Sequence, residues 1–253
     1  MKKRWMATIA ASLIFMVVQT GSAQNAPVRL IASNGVKAVL DEVLPEAEKA
    51  IGHPVSAQFG TTADFMKKIA GGEDFDVVVL TAEAIDKLNK DGKTAGPTRA
   101  DLSQVGIGVG IRAGAPKPDI RTAAALTKTL VNAKEITYAP NGASTPATVK
   151  MLEALGIADQ LKPKTLLLQG SELTLAAVAD GRADYVITLI SEILPAHGVE
   201  LLGPLPSQFQ QYVSFSAAAA AHTKNADAAG ALIKFLKGPT VAPVYKAKGM
   251  EPR

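Results

Sequence analysis

Four short stretches put small hydroxyl or amide residues where an apolar run gives way to a helical pattern. They are Ser33-Asn34-Gly35, Gly60-Thr61-Thr62, Asn141-Gly142-Ala143-Ser144-Thr145 and Gly170-Ser171-Glu172. A helix start carries backbone N–H groups with no intrahelical partner, and it is the positive end of the helix dipole. Small residues let a ligand approach closely, and hydroxyls add further donors. Several such starts aimed at one cleft hold an anion without any lysine or arginine. The same residues are also ordinary helix caps, and a cap by itself binds nothing. The difference lies in whether the turns converge.

Other chemistry has little to stand on. His53, His197 and His222 are far apart and match no metal-ligand spacing. The chain has no cysteine, which excludes thiolate metal sites, disulfides and cysteine nucleophiles. It has no G-x-S-x-G, H-E-x-x-H or G-x-x-x-x-G-K motif. No metal and no cofactor is therefore expected. Asp74 and Asp76 flank Phe75, but one falls in a turn and the other at a strand start, which favours a structural role. Arg112 ends a glycine-interleaved strand and suits bidentate carboxylate recognition, or else a surface ion pair.

The elements that position these turns alternate. Val28 to Ser33 reads as a strand, and Val36, Val39, Leu40, Val43 and Leu44 then fall at helical spacing. Val55 to Phe59 alternates as a strand before Gly60. Thr61 or Thr62 caps a helix with Phe65, Met66 and Ile69 on one face. Asp76 to Leu80 is continuously apolar, as in a strand buried on both faces. This β-α-β-α-β-α series predicts an α/β fold with a mostly parallel sheet. Val105 to Arg112, interleaved with Gly106, Gly108 and Gly110, reads as the crossing into a second lobe. A helix over about 120–133, strands at 136–139, 165–168, 184–189 and 200–202, and helices from about Ser144 and Ser171 make the second series. Val213 to Ala221 leads back, and helices over 226–236 and 241–248 close the chain.

Composition bounds the compartment and the partner. Lys2, Lys3 and Arg4, the apolar run Met6 to Val18 and the small residues Gly21-Ser22-Ala23 form the three parts of an export signal, cut after Ala23. The apolar run is shorter than the ~20 residues that span a bilayer, so no stable membrane insertion is expected. Loss of the signal takes 27 basic residues to 24, against 23 acidic. A near-neutral chain without basic blocks argues against nucleic acid as a partner. Aromatic residues at 5% are too few for extensive stacking on bases or sugars. The exported chain is long enough for two lobes, each with its own core.

With these residues in view, the chain resembles the periplasmic molybdate-binding protein family, the solute receptors of ABC importers, over about 28–250. The segments that carry the likeness are Leu30-Ile31-Ala32-Ser33, Phe59-Gly60-Thr61-Thr62, Phe75 to Leu80 and Ala176 to Asp184. The resemblance implies a two-lobed periplasmic binding protein fold of type II, with two crossover strands and the ligand between the lobes. It divides the chain into a signal at 1–23, a first lobe at 24–104 plus 214–253, and a second lobe at 105–213. Carried over by position, Ser33, Thr61 or Thr62, and Ala143-Ser144 would line the cleft, with Thr188 on the second lobe's wall; Asn34 and Gly35, in place of a more apolar pair, are expected at the ligand as part of the first turn. Gly-Thr-Thr stands where that family usually has Ser-Ser-Gly, and Leu189 where it commonly has tyrosine.

A branch of the family that includes aconitate isomerase is also similar, through Arg112, Gly114 to Ile120 and Leu189-Ile190-Ser191-Glu192. Two functions follow as expectations. One is a monomeric periplasmic receptor that captures a small anion, an oxyanion or organic acid, for an ABC permease. The other is an isomerase of cis- and trans-aconitate, in which Arg112 holds a carboxylate and Glu172, Tyr185 or His197 serves as base.

Overall fold

The computed structural model describes residues 26–253, so the expected export signal lies outside the described residues. The elements follow one another as β1 (Val28–Ser33), α1 (Lys37–Ile51), β2 (Val55–Gly60), α2 (Thr62–Ala70), β3 (Val77–Thr81) and α3 (Ala82–Lys90). Then come β4 (Ala100–Arg112), α4 (Ala123–Asn132), β5 (Ile136–Tyr138), α5 (Thr145–Ala154), α6 (Ala158–Leu161), β6 (Thr165–Leu167) and α7 (Ser171–Ala179). The last are β7 (Tyr185–Leu189), α8 (Ile190–Ile193), β8 (Val199–Pro204), β9 (Tyr212–Ala219), α9 (Ala226–Leu236), α10 (Ala242–Ala247) and β10 (Met250–Pro252).

The strands line up in the order β2-β1-β3-β9-β4-β7-β5-β6, with β8 and β10 both paired to β4. β1 runs parallel to β2 and β3, and β5 runs parallel to β6 and β7. β9 is antiparallel to both of its neighbours, β3 and β4. The α/β architecture expected from the alternation is therefore present, with two antiparallel strands at its centre. β3 explains itself by its run of valines: Val77 and Val79 pack with α1 and α9, whereas Val78 and Leu80 pack with Phe65, Ile69 and Ile85 on the other face.

β4 is the element shared by the two lobes. Ala100 to Gly106 pairs with β9, and Ile107 to Ile111 pairs with β7. At about 3.3 Å per residue its 13 residues extend ~43 Å. The interleaved glycines have a steric cause. A Cβ on Gly108 would lie 2.8 Å from Leu201, and one on Gly110 2.7 Å from Val186. Neighbouring side chains thus fill the space above the strand.

Some boundaries depart from expectation. β4 begins at Ala100 rather than Val105, because β9 and β10 supply partners to its polar first residues. A 3-10 turn over Asn34–Val36 precedes α1. Ser171 is the first residue of α7 rather than its cap; the cap is Gly170, whose φ of 80° suits glycine. The short α6, α8 and β10 carry too few residues to show a period.

Candidate functional site

The turns singled out in the sequence stand at the carboxyl ends of the parallel strands. Ser33 ends β1 directly opposite Gly60 at the end of β2. Ser33 is buried, and its Oγ accepts from the Gly35 N–H at 3.3 Å. Thr61 caps α2: its Oγ1 accepts from the Asp64 N–H at 3.1 Å and donates to Asp64 Oδ2 at 2.8 Å. The hydroxyl proton of Thr61 is therefore already used, and a resident carboxylate sits in the first turn of α2. The hydroxyl of Thr62 is buried and has no partner. A hydroxyl has one proton to donate, so Thr62 rather than Thr61 is the free donor of this pair.

The second lobe reaches across to these turns at two points. Asn141, between β5 and α5, donates through Nδ2 to Thr61 Oγ1 at 3.2 Å and to Asp64 Oδ2 at 3.0 Å. Its Oδ1 is buried and unpaired. Ser191, in α8, donates its Oγ to the Gly35 carbonyl oxygen at 2.7 Å. Gly35 has no room for a side chain: a Cβ there would lie 2.8 Å from Leu189 and closer still to Phe215. Ser144 is buried at the N-cap of α5 without a capping bond from its own hydroxyl, and Ala143 packs beside the main core.

Thr188 is buried near the end of β7, and its hydroxyl is spent on a partner one turn further on. It donates to the Glu192 carboxylate, with the Ser171 hydroxyl and the Leu189 backbone N–H close by. Burial pushes the Glu192 carboxyl up from its ordinary range, and these three donors only partly offset that. Glu192 lies on a hollow of about 490 Å³ between the lobes, with Asn34 and Lys37 on one side and Ser171, Ser191 and His197 on the other. A second interlobe hollow of about 440 Å³ is lined by Thr62, Thr81, Asn141, Gly142, Ala143 and Tyr212. The sequence signal for Glu192 is slight: a glutamate three residues after a strand end, in the manner of a capping box.

Arg112 lies elsewhere. Its strand runs antiparallel to β7, with Gly108 opposite Thr188 and Ile111 opposite Tyr185. Four residues beyond Gly108, Arg112 is displaced along the sheet by about 13 Å. It emerges at the opposite end of β7, exposed, beside Asp119, Lys128 and Asp184. Tyr185, one of the three candidate bases, lies at that same distant end, and burial raises its phenol. Glu172 and His197 do line the interlobe hollow. Asp76 is structural: it receives bonds from Arg29, Thr223 and Asn225. Among the described residues no group of three or more metal-ligating side chains occurs, and no helix is long and apolar enough to cross a membrane.

Likenesses to known proteins bear on this arrangement. The chain is 28% identical to the aconitate isomerase of a Pseudomonas species over 228 residues, covering 88% of this chain and 87% of the relative. It is 28% identical to the molybdate-binding protein ModA of Azotobacter vinelandii, covering 94% and 97%. The solved periplasmic molybdate-binding protein of Azotobacter vinelandii has the same two-lobed fold, with a TM-score of 0.75 at 18% identity over 88% of this chain and 98% of that one. The model for bacterial extracellular solute-binding proteins matches residues 28–251. With that match spanning both lobes and every turn described above, the chain belongs to the bacterial extracellular solute-binding protein family.

Proposed function

We propose that this protein captures a small anion between its two lobes and delivers it to an ABC permease, working as a monomer in the periplasm after loss of residues 1–23. The lobes are residues 24–104 with 214–253, and 105–213; the change of β4's partner from β9 to β7 between Gly106 and Ile107 supports that division. The observation that carries the reading is the meeting of strand-end turns from both halves, with the buried hydroxyl of Thr62 left without a partner. Lys37, at the cleft, is paired with Asp41 at 2.6 Å, so affinity comes from N–H and hydroxyl donors rather than a free cation. The ligand class is an oxyanion or a small organic acid, in keeping with the names of the relatives.

The test is a thermal-shift panel of molybdate, tungstate, sulfate, phosphate and cis-aconitate on the exported form. At a hundredfold excess over Kd, a ligand stabilises the folded state by about 2.7 kcal/mol, well within detection. At least one anion is expected to raise Tm; no shift with any of them would overturn the reading.

A second reading, isomerisation of aconitate, is favoured by one observation. A titratable carboxyl, Glu192, stands in the cleft within reach of two hydroxyls, where a proton-transfer group would have to be. Its test is the appearance of trans-aconitate from cis-aconitate with purified protein, and loss of that turnover in Glu192→Gln.

A further inference from the structure

Asn141 is committed at one end of its amide and unpartnered at the other. Its Nδ2 carries two hydrogens. Both are spent, one on Thr61 Oγ1 at 3.2 Å and one on Asp64 Oδ2 at 3.0 Å. The neighbours fix which way the amide faces. The Thr61 proton goes to Asp64, so Thr61 offers Asn141 only a lone pair, and the Asp64 carboxylate can only accept. Two acceptors require the NH2 end; turning the amide over would set Oδ1 against a carboxylate oxygen. Oδ1 therefore occupies the other branch of the amide, buried, with nothing donating to it.

Thr62 Oγ1 is a second buried polar atom without a partner, and Thr62 and Asn141 line the same interlobe hollow of about 440 Å³. A hollow of that size suits a small organic acid. The two atoms make different demands. The Thr62 hydroxyl can donate to an anionic oxygen, alongside the N–H groups at the start of α2. Asn141 Oδ1 can only accept. Among the described residues that line the hollow there is no lysine, arginine or histidine, and the one charged side chain is Glu83. A ligand made only of ionised oxygens would satisfy Thr62 and strand Asn141 Oδ1, and a buried acceptor left without a donor weakens binding.

We infer that this cleft selects an anion that also carries an O–H group, with Thr62 donating to a charged oxygen and Asn141 Oδ1 accepting from the hydroxyl. The inference rests on the reading that the cleft captures an anion. It deepens that reading by naming the ligand class: a hydroxy acid, or an oxyanion that keeps a proton, such as hydrogen phosphate. Asn141 is then a specificity residue as well as a tie between the lobes. A tie alone predicts no preference between ligands that differ by one hydroxyl.

The experiment is calorimetric titration of the exported form at about pH 7, where carboxylic acids are ionised. The ligands are matched pairs: malate with succinate, citrate with tricarballylate, and phosphate with sulfate; molybdate is run beside them. The O–H-bearing member of at least one pair is expected to bind about tenfold to a hundredfold more tightly. A preference within the organic pairs marks a hydroxy acid as the ligand, and one confined to phosphate marks the protonated oxyanion. In Asn141→Leu the ratio within the preferred pair collapses toward one, whereas Thr62→Val weakens both members and keeps the ratio. Equal binding within every pair, or tighter binding of the members without O–H, overturns the inference and leaves anion capture standing. So does binding of molybdate with no response to any O–H-bearing anion. A preference that survives Asn141→Leu also overturns it. Absence of heat with every anion overturns the capture reading, and this inference with it. The ratios on the unmodified protein do not depend on whether a variant folds.

Discussion

Ser191 and Gly35, 156 positions apart in sequence, are joined by a hydrogen bond of 2.7 Å from the serine Oγ to the glycine carbonyl oxygen. The first turn of α8 is thereby fastened to the turn that follows β1. This contact and the one from Asn141 to Thr61 and Asp64 hold the two lobes against each other beside the same strand ends.

Gly35 is expected to be intolerant of even a methyl group. Gly35→Ala drives a Cβ into Phe215 and Leu189, which belong to β9 and β7. Overpacking of this kind costs about 1–3 kcal/mol, and here it also wedges the lobes apart. The expected outcome is a lower Tm, a larger radius in small-angle scattering and loss of the ligand-induced thermal shift. An unchanged radius with full ligand response would contradict it.

Thr61 and Thr62 are neighbours with opposite duties. Thr61→Val removes an N-cap and the acceptor for Asn141, so stability falls by about 1 kcal/mol. Thr62→Val removes a donor with no partner in the free protein. Its stability is expected to hold, while anion affinity drops by about tenfold to a hundredfold, the usual effect of losing one hydrogen bond to a charged group. Calorimetric Kd values and melting curves for the two variants separate the roles.

Arg112→Ala is expected to leave anion affinity within error of the parent, because the side chain emerges at the far end of β7. A loss of affinity or of any aconitate turnover in this variant would show that the residue acts on the cleft despite its distance.

Asp76 ties β1, β3 and the segment after β9 together, and its contribution depends on pH. Burial opposes its ionisation, but bonds from the Arg29 side chain and backbone and from Thr223 outweigh that and hold the carboxyl below its ordinary range. A depressed carboxyl stabilises the fold fully above its unfolded value, near pH 4, and the stabilisation drains away as pH falls through the folded value. Asp76→Asn is expected to cost about 1–3 kcal/mol at neutral pH. The gap from the parent in urea denaturation should narrow below about pH 4. A gap independent of pH would rule out this account.

The fold was legible wherever the residues carried a period or an unambiguous cap. Asp76 to Leu80 announced a buried strand, and Thr61-Thr62 announced a helix start, because both signals are local. The position of Arg112 was not legible. Seeing that it lies away from the cleft required knowing that β4 runs against β7, which depends on contacts between segments 70 and more residues apart. Glu192 was missed as a cleft residue for a related reason. α8 is four residues long, too short for any period, and the carboxyl's significance comes from Thr188 and Ser171 closing over it. Likewise, nothing in Gly60-Thr61-Thr62 says which threonine is free; that is settled by Asp64 and Asn141.

The double membership of β4 reaches beyond the cleft. A strand whose halves serve different sheets cannot lose one set of partners without exposing the backbone of the other's neighbour. Heating or urea is therefore expected to take both lobes down in a single cooperative transition, despite their separate helices and separate clusters of packed side chains. Any flexing between the lobes must be absorbed by twisting at Gly106 to Gly108 and by the return segment before β9, as a leaf spring bends rather than as a hinge swings.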